Sequence, residues 1–120
     1  MKLVVAVIQP ERLEAVQERL GEARVFRLTV SDVQGVSPAP QTAAAAAYAA
    51  GSASTAGASA PTRRVKLEIA VNEEFVEPTV RAISEGAQLP DDTPGVGAVW
   101  VLPLEEAIRI RTGERGPEAI

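Results

Sequence analysis

The sequence predicts a mixed α+β domain built from two similar strand–helix–strand halves. Residues 3–8 and 65–71 both have the apolar pattern of a strand, and each run is followed by a stretch of helical period. When residue 8 is aligned with residue 71, Leu20 falls on Ile83, and the two halves share one pattern although few residues are identical. A doubled unit of this kind is typical of the ferredoxin-like βαββαβ sandwich, in which two helices cover one face of a four-stranded antiparallel sheet.

The first half contains a strand, a helix and a second strand. Residues 3–8 form a continuous apolar run that predicts a strand, and Pro10 then fits the first position of a helix. Val16 and Leu20 lie on one apolar stripe of that helix. Residues 26–30 alternate between apolar and polar side chains, which predicts a second strand running on towards residue 35.

The second half repeats this order. Residues 65–71 alternate and predict a third strand, and Asn72 fits the N-cap of a second helix. Pro78 lies more than one turn beyond Asn72, where its ring clashes with the carbonyl four residues back. We therefore expect this helix either to begin later, near Phe75, or to bend. Residues 98–102 predict a fourth strand.

One face of the predicted sheet has no helices over it. We expect Val4, Ala6 and Ile8 to lie on this uncovered face. An uncovered apolar sheet face is a contact surface, so the pattern predicts an oligomer.

Two segments interrupt the strands and helices. Residues 33–62 contain no charged side chain, and residues 37–61 consist of Ala, Ser, Gly, Pro, Thr and Gln around a single Tyr48. This composition predicts a long flexible loop, which is either functional or a tolerated insertion. The second segment, residues 87–97, is rich in Pro and Gly and predicts a shorter glycine loop within a single domain of residues 1–120.

The C-terminal part carries two closely spaced arginines. Ile108 and Ile110 alternate with Arg109 and Arg111, which predicts a strand whose two guanidinium groups leave the same face. Such a pair can bind a phosphate, because the planar donor fork of arginine matches an oxyanion. The alternative is a solvated charged edge strand that opposes aggregation.

Composition excludes several classes of function. The formal charge of −4 and the isoelectric point near 4.9 give no basic surface for nucleic acid. The absence of Cys and His removes thiol nucleophiles, imidazole bases and Cys/His zinc sites. No apolar run is long enough to insert into a membrane, so we expect a cytoplasmic protein.

Several stretches resemble the PII signal-transduction (nitrogen regulatory) proteins. The most specific is the ending Arg-Ile-Arg-Thr-Gly-Glu at residues 109–114. Further similarity in order and spacing occurs at residues 1–10, at Thr29, Val30, Val33 and Gly35, at residues 65–69, and at Ala119 and Ile120.

This resemblance implies a homotrimer that binds an adenine nucleotide, ADP or ATP, in clefts between subunits and contacts a target enzyme or membrane transporter through the 37–61 loop. It also implies roles for individual residues. Arg109 and Arg111 would bind phosphates, and Thr29, Glu68 and Ala70 would line the adenine and ribose end. Gly35 would lie at the base of the large loop and Arg64 near the γ-phosphate. Gly95 and Gly97 would belong to the small loop that cradles the phosphates.

The chain also departs from the family pattern. The Lys that usually follows the small glycine loop is Ala98 here, which weakens phosphate binding and favours nucleotides with less phosphate charge. A Gly-Thr-Gly run is replaced by Val25, Phe26 and Arg27. Ala39 stands in place of a Gln ligand, so we do not expect 2-oxoglutarate to bind. Gly51 stands in place of the uridylylated Tyr, and Tyr48 lies nearby.

The sequence leaves three hypotheses about function. The first is a nucleotide-binding regulator. The second, the alternative to it, is a structural or interaction module of the same fold that has lost nucleotide sensing and is linked to carbon metabolism. The third is a phosphate-ester or acyl-phosphate hydrolase with Arg111 as anion holder and Glu68, Asp91 or Asp92 as its carboxylates. We expect no enzyme, because imidazole and thiol groups are missing and no carboxylate pair has the spacing of an acid–base couple.

Overall fold

Strands and helices follow one another in the predicted order. The computed structural model describes residues 1–36, 61–89 and 97–120. Strand β1 is Lys2–Ile8, helix α1 Leu13–Glu22, strand β2 Thr29–Gly35, strand β3 Thr62–Val71, helix α2 Glu73–Ala87 and strand β4 Ala98–Pro103. Short 3₁₀ turns occupy Pro10–Arg12, before α1, and Gly116–Ala119, near the C-terminus.

The strands form one antiparallel sheet in the order β2-β3-β1-β4. The central strands β1 and β3 have both edges paired and carry most of the buried core residues. Both helices pack on the same side of this sheet. The predicted ferredoxin-like α+β fold is therefore confirmed.

The core lies between the helices and one face of the sheet. Val4 and Ala6 are 0% exposed and Ile8 is 3% exposed beneath the helices, whereas Val5 and Val7 on the opposite face are only partly buried. The prediction that Val4, Ala6 and Ile8 lie on the uncovered face is wrong. The run is apolar at every position, so its hydrophobic pattern carries no information about which set faces the helices.

The two helices approach each other closely at Gly86. A Cβ placed on this glycine lies 2.8 Å from the Cα of Val16, so the backbones touch where any larger residue would separate them. Arg12 Nε donates a hydrogen bond of 3.0 Å to the Gly86 carbonyl and fixes the end of α2 to the start of α1. Leu20 and Ile83 fill the adjoining core.

Helix α2 begins at Glu73 and contains Pro78, so the prediction of a later start is wrong. The helix buries Ala82 and Ile83, and this burial offsets the hydrogen bond that the proline cannot donate. Asn72 occupies the N-cap position with extended backbone, as predicted, but its side chain makes no capping bond and donates instead to the Pro117 carbonyl at 3.1 Å.

Strand β2 begins at Thr29, three residues later than predicted. Helix α1 ends in a turn in which Arg24 takes a positive φ of 61° and the Val25 N–H donates to the Leu20 carbonyl at 2.9 Å. This turn draws Val25 into the core and leaves Phe26 75% exposed in the connection to β2. In the described parts of the chain, neither helix is long and apolar enough to cross a membrane.

Candidate functional site

The sheet face that the helices leave open brings together residues that the sequence assigned to nucleotide binding. Thr29 lies opposite Glu68 in the β2–β3 register, and Ala70 lies opposite Leu3 of β1. Opposite residues, and every second residue along a strand, point to the same side of a sheet. Thr29, Arg64, Glu68 and Ala70 therefore share the open face, although they come from two strands.

Glu68 forms an ion pair on this open face. Its Oε1 lies 3.0 Å from Nζ of Lys66, and the two side chains are 37% and 38% exposed. The pair leaves the second carboxylate oxygen of Glu68 able to accept a hydrogen bond from a hydroxyl or an amine. Glu68 can therefore act in recognition without placing an unpaired negative charge at the site.

Arg64 and Gly35 meet at the other end of β2 and β3. Arg64 is 7% exposed, and its Nη1 donates to the Arg63 carbonyl at 2.8 Å. A Cβ placed on Gly35 lies 3.2 Å from Cγ of Arg64, so the missing side chain gives the arginine room to lie across this end of the sheet. The Thr62 hydroxyl donates to the Gly35 carbonyl at 3.2 Å and joins the two strand ends at the base of segment 37–61.

The C-terminal arginines lie in a closed turn, not in a strand. The described backbone between Ile108 and Arg115 forms a single isolated bridge, Gly113 has a positive φ of 74°, and its N–H donates to the Arg109 carbonyl at 2.7 Å. The predicted strand around residues 107–112 is therefore wrong. The glycine turns the chain too early for strand pairing, and Ile110 is fully exposed at the tip.

Arg109 and Arg111 have different surroundings in this turn. Arg109 Nη1 lies 3.0 Å from Oε2 of Glu114, and Nη2 donates to the Glu118 carbonyl at 2.9 Å. Within the described ranges, the Nε of Arg109 is buried without a hydrogen-bond partner. Arg111 is exposed and has no ionic or hydrogen-bonding partner in the ranges that the structure describes. One guanidinium is thus already paired while the other is available to an anion.

Gly97 lies where the backbone must approach β1. A Cβ placed on it lies 2.7 Å from the Val7 carbonyl oxygen, so only glycine allows the backbone to pass this close to β1 before β4 begins. Ala98 follows as the first residue of β4 and lies opposite Val7. Gly95, the other predicted glycine of this loop, lies outside the described residues, as do Ala39, Tyr48, Gly51, Asp91 and Asp92.

A pocket of about 220 Å³ adjoins the Ala70 end of the open face. Because β2 begins opposite Glu68, Ala70 has a paired neighbour only on β1, and its other edge borders this pocket. Sequence reasoning missed most of its lining, which comes from three separate elements and the C-terminus: Arg24, Val25, Phe26, Arg27, Val71, Asn72, Phe75 and Ile120. The replacement of the family's Gly-Thr-Gly run by Val25, Phe26 and Arg27 is the sequence signal that points to this place.

Comparison with known proteins identifies the family. The family model described as nitrogen regulatory protein P-II matches residues 1–114. The chain belongs to the nitrogen regulatory protein P-II family. The resemblance inferred from the Arg-Ile-Arg-Thr-Gly-Glu motif is therefore confirmed.

Individual P-II relatives match over nearly their whole length. Nitrogen regulatory protein GlnK1 of Methanosarcina mazei is 47% identical over 100% of this chain and 97% of its own. Nitrogen regulatory protein P-II of Rhodospirillum rubrum is 36% identical over the full length of both chains. The crystal structure of Arabidopsis thaliana PII bound to citrate superposes with a TM-score of 0.74 at 31% identity, covering 99% of this chain and 91% of the other.

These relatives also decide between the broad classes of function. They are regulatory proteins of signal transduction, and P-II membership makes this chain a regulatory protein and not an enzyme. The prediction against catalysis is confirmed on this basis, and the hydrolase hypothesis is set aside.

Proposed function

We propose that this P-II protein is a homotrimeric regulator that binds an adenine nucleotide at the open sheet face, in clefts between subunits, and acts on a partner through segment 37–61. The observation that carries the proposal is the strand register, which places Thr29, Glu68 and Ala70 on one open face beside the 220 Å³ pocket. A planar base suits this place because the pocket is largely apolar and ends at a free strand edge.

The uncovered face supports assembly into a trimer. On the open face, Val5 of β1 lies opposite Trp100 of β4, and Trp100 is 51% exposed. An apolar face of this kind is covered in most folded proteins, and a second copy of the chain can cover it. A cleft between copies then combines the Ala70 end of one open face with the arginine turn of another subunit.

Phosphate binding is assigned to Arg111 and Arg109, with Gly97 and Arg64 close to the phosphate chain. Arg111 has no partner in the described part of the chain and can receive an anion directly, while Arg109 is already paired with Glu114. Ala98 supplies no cation at the start of β4, so we propose ADP or ATP as the ligand with modest phosphate affinity. We do not propose 2-oxoglutarate, because Ala39 offers no side-chain ligand.

Segment 37–61 connects the site to a partner. It leaves and re-enters the sheet at Gly35 and Thr62, which are paired in register and joined by the Thr62 hydroxyl bond. Arg64 lies against Gly35 at this point, so a ligand that moves Arg64 also displaces the base of the segment. Because the segment is uncharged, we propose a target enzyme or transporter that offers an apolar surface.

Ligand-dependent thermal unfolding tests the proposal. A ligand present at 100 times its Kd stabilises the folded state by about 2.7 kcal/mol, which raises the melting temperature by several degrees. We expect this shift with ADP or ATP and its loss in the R109A/R111A variant, because two charge-assisted contacts account for at least roughly a hundredfold in affinity. R81A is the matched control, since Arg81 is exposed on α2 beneath the opposite face.

A second candidate function is an interaction module that does not sense nucleotides. The pairing of Arg109 with Glu114 within one chain favours it, as does the bulky Phe26 at the pocket. Absence of any stabilisation or binding heat with ATP, ADP and AMP would establish this alternative and reject the proposed ligand.

A further inference from the structure

We propose that Glu114 is an internal competitor for the anion site: its carboxylate pairs with Arg109 in the ligand-free chain, and a bound phosphate competes with it for the guanidinium. This inference rests on the proposed function, because it concerns the same arginine turn. It identifies Glu114 as a residue that lowers phosphate affinity.

The contacts of Arg109 carry the inference. The Oε2 of Glu114 lies 3.0 Å from Nη1, and the Glu118 carbonyl accepts from Nη2 at 2.9 Å, so both terminal nitrogens already have acceptors. Each terminal nitrogen keeps one further N–H, and the Nε–H is buried with no acceptor among the described residues. A phosphate that takes these remaining donors lies beside the Glu114 carboxylate, and the repulsion between the two anions favours displacement of the carboxylate.

The two acceptors are not equally able to leave. Glu118 lies in the Gly116–Ala119 turn, which the Asn72 side chain holds through the Pro117 carbonyl at 3.1 Å. The Glu114 carboxylate is held by the Arg109 ion pair and its side chain is 43% exposed, while the Glu114 backbone is fixed by the bond of 2.9 Å that its carbonyl accepts from the Arg109 N–H. The carboxylate is therefore the group that an incoming anion displaces, while the carbonyl continues to orient the guanidinium.

The charges favour this exchange. A carboxylate carries one negative charge, whereas a phosphate group carries about 1.5 to 2 at neutral pH and presents more acceptor oxygens. Arg111, two residues away and without a partner among the described residues, provides a first contact for the same anion. The Arg109 guanidinium then exchanges the Glu114 carboxylate for the ligand, while the backbone hydrogen bonds of the turn stay in place.

Nucleotide affinity in matched variants tests the competitor. We expect E114Q to bind ADP roughly two- to fivefold more tightly than the wild type, the upper part of the range for loss of a partly exposed ion pair. E114D keeps the charge and should stay near the wild-type value. E106Q is the control, because Glu106 lies in the same region and loses the same charge but pairs with Arg115. We expect it to change affinity less than twofold.

A double-mutant cycle separates competition from general charge repulsion. If Glu114 acts through Arg109, the E114Q change has no effect on ADP affinity in the R109A background. Equal tightening with and without Arg109, or equal tightening by E106Q, shows that Glu114 acts only through its charge. Weaker ADP binding by E114Q shows that it positions Arg109 instead. Either result overturns the inference while leaving the proposed function intact.

A second measurement does not depend on nucleotide binding. Phenylglyoxal modifies accessible arginines, and peptide mapping can follow Arg109 by itself. We expect Arg109 to react several times faster in E114Q than in the wild type, with no such change in E106Q. Equal rates refute the competitor even if no nucleotide binds. Failure of ADP to bind the wild type and E114Q alike rejects the proposed ligand, whatever the modification rates are.

Discussion

The contact between the helices at Gly86 provides a sharp test of the packing. In G86A the new Cβ would lie 2.8 Å from the Cα and 3.0 Å from the N of Val16, and neither is the movable end of a side chain. The helices must move apart by about half an ångström, which loosens the contacts of Leu20 and Ile83 and strains the Arg12 bond to the Gly86 carbonyl.

The expected change in the free energy of unfolding of G86A is the sum of one stabilising and two destabilising contributions. Alanine is about 1 kcal/mol better than glycine inside a helix. Overpacking against backbone costs about 1–3 kcal/mol, and a weakened hydrogen bond adds about 1 kcal/mol. We therefore expect G86A to lower the free energy of unfolding by about 1–3 kcal/mol.

Chemical denaturation at one fixed protein concentration measures this change. The matched control is G21A in α1, where a Cβ meets nothing within 4 Å. There the same substitution should raise stability by about 0.5–1 kcal/mol. The packing argument is refuted if G86A is as stable as the wild type, or if both substitutions change stability in the same direction.

Other predictions concern single side chains. The Thr79 hydroxyl is fully buried and has no hydrogen-bond partner among the described residues, so T79V should raise the unfolding free energy by about 1 kcal/mol. No gain would indicate an unrecognised partner. Arg24 pays the cost of a positive φ, so R24G should stabilise by up to about 1 kcal/mol in the same denaturation assay, while R24A should not. N72A removes the hydrogen bond to the Pro117 carbonyl, so it should lower the free energy of unfolding by about 1 kcal/mol and speed proteolytic trimming of the C-terminus. Unchanged trimming would contradict a role of Asn72 in holding the C-terminus.

Sequence patterns predicted the fold where polar and apolar residues alternate. On β3, Leu67 and Ile69 alternate with Lys66 and Glu68, and the buried set is the apolar one. On β1 the run is apolar on both faces, so the same reasoning could not tell Val4 from its neighbours. Tertiary contacts with the helices decide that choice.

The arginine turn shows a second limit. Alternation over residues 108–111 is too short to distinguish a strand from a turn, and Gly113 decides in favour of the turn through its positive φ. The pairing of Arg109 with Glu114 depends on that turn and has no signature in a strand pattern.

The candidate site likewise has one part that the sequence predicted and one part that it did not. The motif resemblance indicated positions on β2 and β3, and the observed register places Thr29 and Glu68 opposite each other. The pocket beside Ala70 was not predicted, because Asn72 and Phe75 reach it from the start of α2 and Ile120 from the C-terminus. Such convergence arises from the packing of separate elements.

A crystal structure of the full chain grown with ADP tests the central claim most directly. The account predicts a trimer with ADP between subunits, its base beside Ala70 and Thr29 and its phosphates at Arg111. A monomer with a solvated open face, or ADP bound away from that face, would contradict it.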